Sequence, residues 1–74
     1  MKQFNLVLAY NIRYFRKRKE LSQVELARKI GVSPQAVSKW ESGKSAPDIS
    51  LLPMVASTLE CQIDELFSSD GMDK

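Results

Sequence analysis

Apolar residues recur along this chain at helical spacing from one end to the other. Leu8, Ile12 and Phe15 stand at i, i+4 and i+7, and the stripe predicts a helix over about Phe4 to Arg18, with Leu21 closing the turn that follows. A second stripe of Val7, Tyr10 and Tyr14 runs beside the first, so this helix is more apolar than one core face requires. The basic run Arg16 to Lys19 falls at its C-terminus, where the helix dipole favours cations.

Ser22, Gln23, Val24, Glu25 has the S-x-x-E form of a capping box, so a second helix starts here. Leu26, Ala27 and Ile30 form its inward face, and Gly31 follows as a left-handed stop after about two turns. Ser33 then serves as N-cap, with Pro34 at the first helical position, where a missing N–H costs nothing. Ala36, Val37 and Trp40 are the apolar positions of this third helix, and Ser42, Gly43, Lys44 ends it. About three residues separate the two helices, and small Ala27 and Gly31 let backbones approach. Together they predict a helix-turn-helix corner. From spacing alone the corner fits both a DNA-binding element and an ordinary helical hairpin.

Asp48, after Pro47, caps a fourth segment whose inward residues are expected to be Ile49, Leu52, Ala56 and Leu59, with Val55 adjoining. Pro53 lies five positions past that cap, which predicts a kink or a first turn that is not fully α-helical. A short helix over Ile63 to Phe67 closes the series. Residues 1–67 are therefore expected to form one domain and residues 68–74 a frayed tail.

Composition narrows the function classes. Seventy-four residues hold one core, and 43% hydrophobic with 27% charged residues describes a folding chain. Histidine is absent and Cys61 is alone, which leaves no disulfide, no four-ligand zinc site and no ordinary nucleophile–base pair. Neither an enzyme, a metal nor a cofactor is expected. With no signal-like leader and no long apolar run, the expectation is a soluble protein of the reducing cytoplasm.

The net charge of +2 hides an asymmetry. Residues 1–44 carry ten Lys and Arg against Glu20, Glu25 and Glu41, a net +7, whereas residues 45–74 carry Lys74 against six acids, a net −5. A basic front half suits a polyanion, although clustered cations also occur on plain solvated helices.

The stretch LSQVELARKIGVSPQAVSKWESGKSAPDISLLPMVASTLECQIDELF resembles the Cro and phage-repressor type of helix-turn-helix, the XRE family, with the likeness running from about Leu8 to Phe67. It rests on LSQ, ELA, G-V-S, W-E-S-G-K, the following Pro and the terminal D-E-L-F. The resemblance implies an all-α domain of five helices whose third helix enters the major groove of double-stranded DNA. It also implies a transcriptional role, usually that of a repressor dimer on a palindromic operator.

Carried onto this chain, the resemblance makes Gln23 a phosphate contact at a helix N-terminus, beside Ser22, and makes Ser42 and Lys44 a second phosphate clamp. Lys44 is equally a helix-terminal cation. Ser33, Gln35, Ser38 and Lys39 lie opposite the apolar face of the third helix and are the candidate base readers. Gln35 suits adenine N6 and N7, and Lys39 suits guanine or a phosphate. Pro34 departs from family members that carry a polar reader there. It has no donor, and at most touches a thymine methyl.

By the same resemblance Arg16 and Glu41 form a bidentate, partly buried ion pair. Ile63, Leu66 and Phe67 resemble the family's dimer surface, with the Val7, Tyr10, Tyr14 stripe as a competing patch. Trp40 reads as a packing residue and Cys61 as a small buried hydrophobe. Arg13, Lys17, Arg28 and Lys29 are either solvated cations or long-range attractors of phosphate. The competing reading of the whole is a protein-interaction adaptor, antitoxin-like, that uses the same scaffold to bind another protein through the Val7 to Tyr14 stripe.

Overall fold

The computed structural model describes residues 2–69, with side chains from residue 6 onward. Its elements are α1 (Lys2–Arg18), α2 (Gln23–Ile30), α3 (Pro34–Ser42), a 3-10 segment (Ile49–Leu51), α4 (Leu52–Leu59) and a second 3-10 segment (Ile63–Phe67). The described residues thus contain four α-helices and two 3-10 turns, not five helices, and α1 begins two residues earlier than its apolar stripe predicts. Residues 70–74 of the expected tail lie outside the described residues.

Local chemistry sets most of the boundaries. The Ser22 hydroxyl accepts from Glu25 N at 3.0 Å and Glu25 Oε1 accepts from Ser22 N at 2.8 Å, a closed capping box. Gly31 stops α2 at φ 90°, in the left-handed region that a Cβ disfavours, and its N–H returns to Ala27 O at 2.8 Å. Two residues on, Ser33 caps α3 through Ala36 N, with Pro34 in its first turn. This tight connection fixes the angle between α2 and α3.

One core joins all the elements. Leu8 and Ile12 of α1 meet Leu26, Ala27 and Ile30 of α2, Val37 and Trp40 of α3, Val55, Ala56 and Leu59 of α4, and Leu66. Burial of such side chains, at roughly 1.5–3 kcal/mol for each large one, is the main favourable contribution to the fold. Trp40 is buried, so it packs and does not stack on bases. Cys61 is only half-buried, and removal from water, followed by the charge of Glu65, pushes its thiol up to about 11.

Ile49 is not inward as its spacing predicts; it is 81% exposed. The cause is Pro53, which sits in the first turn of α4 and leaves Ile49–Leu51 as a 3-10 turn capped by Asp48 through Ser50 N. The three-residue period of that turn shifts the phase, and the buried stripe resumes only from Val55. Leu66 is fully buried, which removes it from any dimer surface, whereas Ile63 and Phe67 remain exposed.

Candidate nucleic-acid interface

The third helix divides into two faces. Val37 and Trp40 are buried and Ala36 is half-buried, whereas Ser33 at its cap and Gln35, Ser38 and Lys39 on its far side are exposed. The side chains of Gln35, Ser38 and Lys39 make no hydrogen bond or ion pair among the described residues. An amide, a hydroxyl and an ammonium group are left on one solvent-facing strip, the set of donors that reads base edges in a major groove. The Ser33 oxygen accepts from Ala36 N at 3.2 Å, which leaves its hydroxyl hydrogen for an outside acceptor.

A three-way polar contact holds that helix in place. Arg16, 8% exposed, donates from Nε to Glu41 Oε2 at 2.5 Å, from Nη2 to Glu41 Oε1 at 2.9 Å and from Nη1 to the Leu21 carbonyl at 2.8 Å. The Glu41 side chain is 2% exposed, so the pair is withdrawn from water and its forked geometry is what compensates the desolvation. Gln23 joins it, donating from Nε2 to Glu41 Oε1 at 3.1 Å. One carboxylate at the end of α3 thus ties together the end of α1 and the start of α2. The spacing of these residues carried no sign of the Gln23 contact, because 18 residues separate the partners.

The candidate phosphate contacts lie at the start of α2 and around the end of α3. The Ser22 hydroxyl accepts from Glu25 N within the capping box and is itself hydrogen-bonded to the Glu25 carboxyl group. The Ser22 backbone N–H is the first cause that holds the Glu25 carboxyl below the ordinary carboxylate range, followed by the Ser22 hydroxyl hydrogen bond, with Arg28 and Lys29 adding charge. Ser42 Oγ donates to the Lys39 carbonyl at 3.1 Å, so its single hydrogen is already engaged. Lys44 is exposed, and its backbone N–H closes on Lys39 O at 3.0 Å around Gly43, where φ is 79°. A Cβ added at Gly43 would stand 3.4 Å from Leu6 Cδ2, so the start of α1 lies over this loop.

Leu6 was missed in the sequence, although it precedes Tyr10 and Tyr14 by the same four-residue step that marks their stripe. No cluster of metal-binding side chains occurs among the described residues, and no helix among them is long and apolar enough to cross a membrane.

Comparison with known proteins agrees with this geometry. The helix-turn-helix family model matches residues 12–66. The HTH-type transcriptional activator BcrR of Enterococcus faecalis is 39% identical over 61 residues, covering 82% of this chain and 30% of that protein. The HTH-type transcriptional regulator SlrR of Bacillus subtilis (strain 168) is 42% identical over 62 residues, covering 82% of this chain and 41% of that protein. The chain therefore spans less than half the length of these two relatives. Among solved structures, the phage P22 c2 repressor protein in complex with a synthetic operator superimposes with a TM-score of 0.79 at 32% identity, covering 85% of this chain and 96% of that one. With its corner, its buried Arg16–Glu41 pair and these relatives, the chain belongs to the helix-turn-helix family of transcription regulators, of the Cro and phage-repressor type.

Proposed function

We propose that the chain is a sequence-specific regulator of transcription that inserts α3 into the major groove of double-stranded DNA, acting as a repressor dimer on a palindromic operator. The observation that carries this reading is the division of α3 into a buried Val37–Trp40 face and an exposed polar face of Gln35, Ser38 and Lys39. The likeness to a repressor whose structure was solved with its operator supports it.

In this reading Gln35 pairs with an adenine, Lys39 reaches guanine or a phosphate, and Ser33 and Ser38 take neighbouring edges. Gln23 and Lys44 meet phosphates and set the register, and Ser22 and Ser42 join them by turning their hydroxyl hydrogens from Glu25 and the Lys39 carbonyl to the strand. The Gln23 amide has one hydrogen on Glu41 and a second for the backbone, so it transmits the position of the strand to the helix that reads it. Exposed Ile63 and Phe67 contribute the dimer contact, which places two recognition helices about 34 Å apart.

Selection of bound duplexes from a random pool, followed by sizing of the complex, tests the reading. The expected outcome is an inverted repeat with half-sites about 10 base pairs apart, bound by two chains. Affinity should fall steeply with salt, as expected for about six neutralised phosphates. A pool that yields no enriched sequence, with weak binding indifferent to salt, overturns it in favour of a protein-binding adaptor.

A further inference from the structure

The solvent face of α1 carries a surface that duplex reading leaves unused. Leu6, Tyr10 and Tyr14 stand at i, i+4 and i+8 and are 54%, 41% and 47% exposed. On a helix this strip is about 12 Å long. Its aromatic part is already ordered. The Tyr10 and Tyr14 rings stack with centroids 6.3 Å apart and planes 11° from parallel, and Tyr14 meets Phe15 edge-on at 5.2 Å. Leu6 rests over Gly43. Rings held in one arrangement lose little freedom when a partner covers them, and tyrosine and arginine are the residues that most often anchor protein interfaces.

The charged side chains that α1 places beside the strip are of one sign. Arg13 and Lys17 share this face, both are exposed, and neither side chain has an ion pair among the described residues. The whole of α1 contains no Asp or Glu.

The geometry points to a docking site for an acidic amphipathic helix of another protein, with apolar residues at i, i+4 and i+7 laid along Leu6, Tyr10 and Tyr14 and carboxylates set against Arg13 and Lys17. A helix fits because the anchors repeat at helical rise. A second copy of the chain fits poorly. Its acidic, apolar segment Ile63–Phe67 is a 3-10 turn whose two exposed anchors, Ile63 and Phe67, span only about 8 Å. Single-stranded nucleic acid fits poorly too, since the two tyrosine rings stack on each other and leave no gap between them for a base.

The site does not depend on duplex recognition, and its test uses no duplex. The probe is a labelled synthetic helix of about 16 residues, long enough to hold helical structure, with Leu and Phe on one stripe and Glu on both flanks. A control peptide has every Glu replaced by Lys. The full chain should bind the acidic peptide in the micromolar range and the basic one at least about tenfold more weakly, a difference of about 1.4 kcal/mol. Amide NMR shifts should centre on Leu6, Tyr10 and Tyr14 and leave Gln35 and Lys39 unmoved. Tyr14→Ser should weaken binding about tenfold, and Arg13→Glu with Lys17→Glu, both at exposed positions, should reverse the preference between the peptides. The proposal is overturned if neither peptide binds, if the charge swap leaves the preference unchanged, if the shifts fall on α3, if a single-stranded oligonucleotide competes, or if Tyr14→Ser changes the mass of the free chain in sedimentation instead of peptide binding.

Discussion

The side-chain amide of Asn11, in the middle of α1, donates to the carbonyl of Leu66 at 2.9 Å, and the same nitrogen donates to the carbonyl of Ser68 at 2.9 Å. Asn11 is 4% exposed and satisfies two backbone acceptors that a 3-10 turn cannot pair internally. The middle of α1 and the last 3-10 segment are clasped through one planar group. Asn11→Leu fills the space but orphans both carbonyls, so a loss of about 2–4 kcal/mol is expected in urea unfolding. Asn11→Asp should be worse near neutral pH, where a carboxylate would face two carbonyls, and should recover partly in acid. Equal stability of Asn11→Leu and the parent would show that water reaches these carbonyls.

Removing either member of the Arg16–Glu41 pair strands a buried charge. Arg16→Ala or Glu41→Ala should each cost about 3–5 kcal/mol in thermal or urea unfolding. Replacing Gln23 by Ala removes one hydrogen bond to a charged acceptor and should cost about 1.5–3 kcal/mol. A double-mutant cycle between Gln23 and Glu41 should show coupling; perfect additivity would mean that the 3.1 Å contact contributes nothing.

On the reading face, Gln35→Ala should relax base preference at one operator position, with about 1–3 kcal/mol of discrimination lost there, while Lys44→Ala should weaken every duplex alike and reduce the salt slope by about one. Competitive selection in two salt concentrations separates the two outcomes. An unchanged selected sequence for Gln35→Ala would remove that residue from the readers.

Three exposed carboxylates are held below their ordinary values: Glu25 by Ser22, Asp48 by Ser50 and Glu60 by Lys19. Each lowered value in the folded state adds stability that is complete above the ordinary values of 4.5 and 3.8 and is lost as pH falls through the folded ones. The urea midpoint should therefore be flat from pH 7 to about 5.5 and decline below about 4.5. Ser22→Ala should return the Glu25 titration, followed by NMR, toward its ordinary value. Cys61 behaves in the opposite sense. With its thiol raised to about 11, it should react with a disulfide reagent at pH 8 more slowly than a free cysteine, and as fast only after unfolding.

The features legible in the sequence were those set by near neighbours. The Ser22–Glu25 box, Gly31, the Ser33–Pro34 start and Gly43 each depend on residues within about four positions, and each boundary falls where that local chemistry puts it. The inward and outward faces of α3 follow from the same periodicity. What was not legible depends on distant partners or on phase. Periodicity carried back through Pro53 places Ile49 inside, whereas the proline breaks that period and leaves it exposed. Leu66 resembled a surface residue, yet its 3-10 turn points it into the core beneath Asn11. The Asn11 clasp and the Gln23 strut join residues 55 and 18 positions apart, and nothing in a one-dimensional spacing announces such pairs.

The polar strip on α3 contributes nothing to holding the helix in place: Val37, Trp40 and Glu41 attach it from behind. Substitutions at Gln35, Ser38 and Lys39 should thus leave the melting temperature nearly untouched, within the roughly ±0.5 kcal/mol typical of plain surface positions. Target preference and fold stability are thereby separable in this protein. Descendants could acquire new binding sites one side chain at a time without passing through unfolded intermediates.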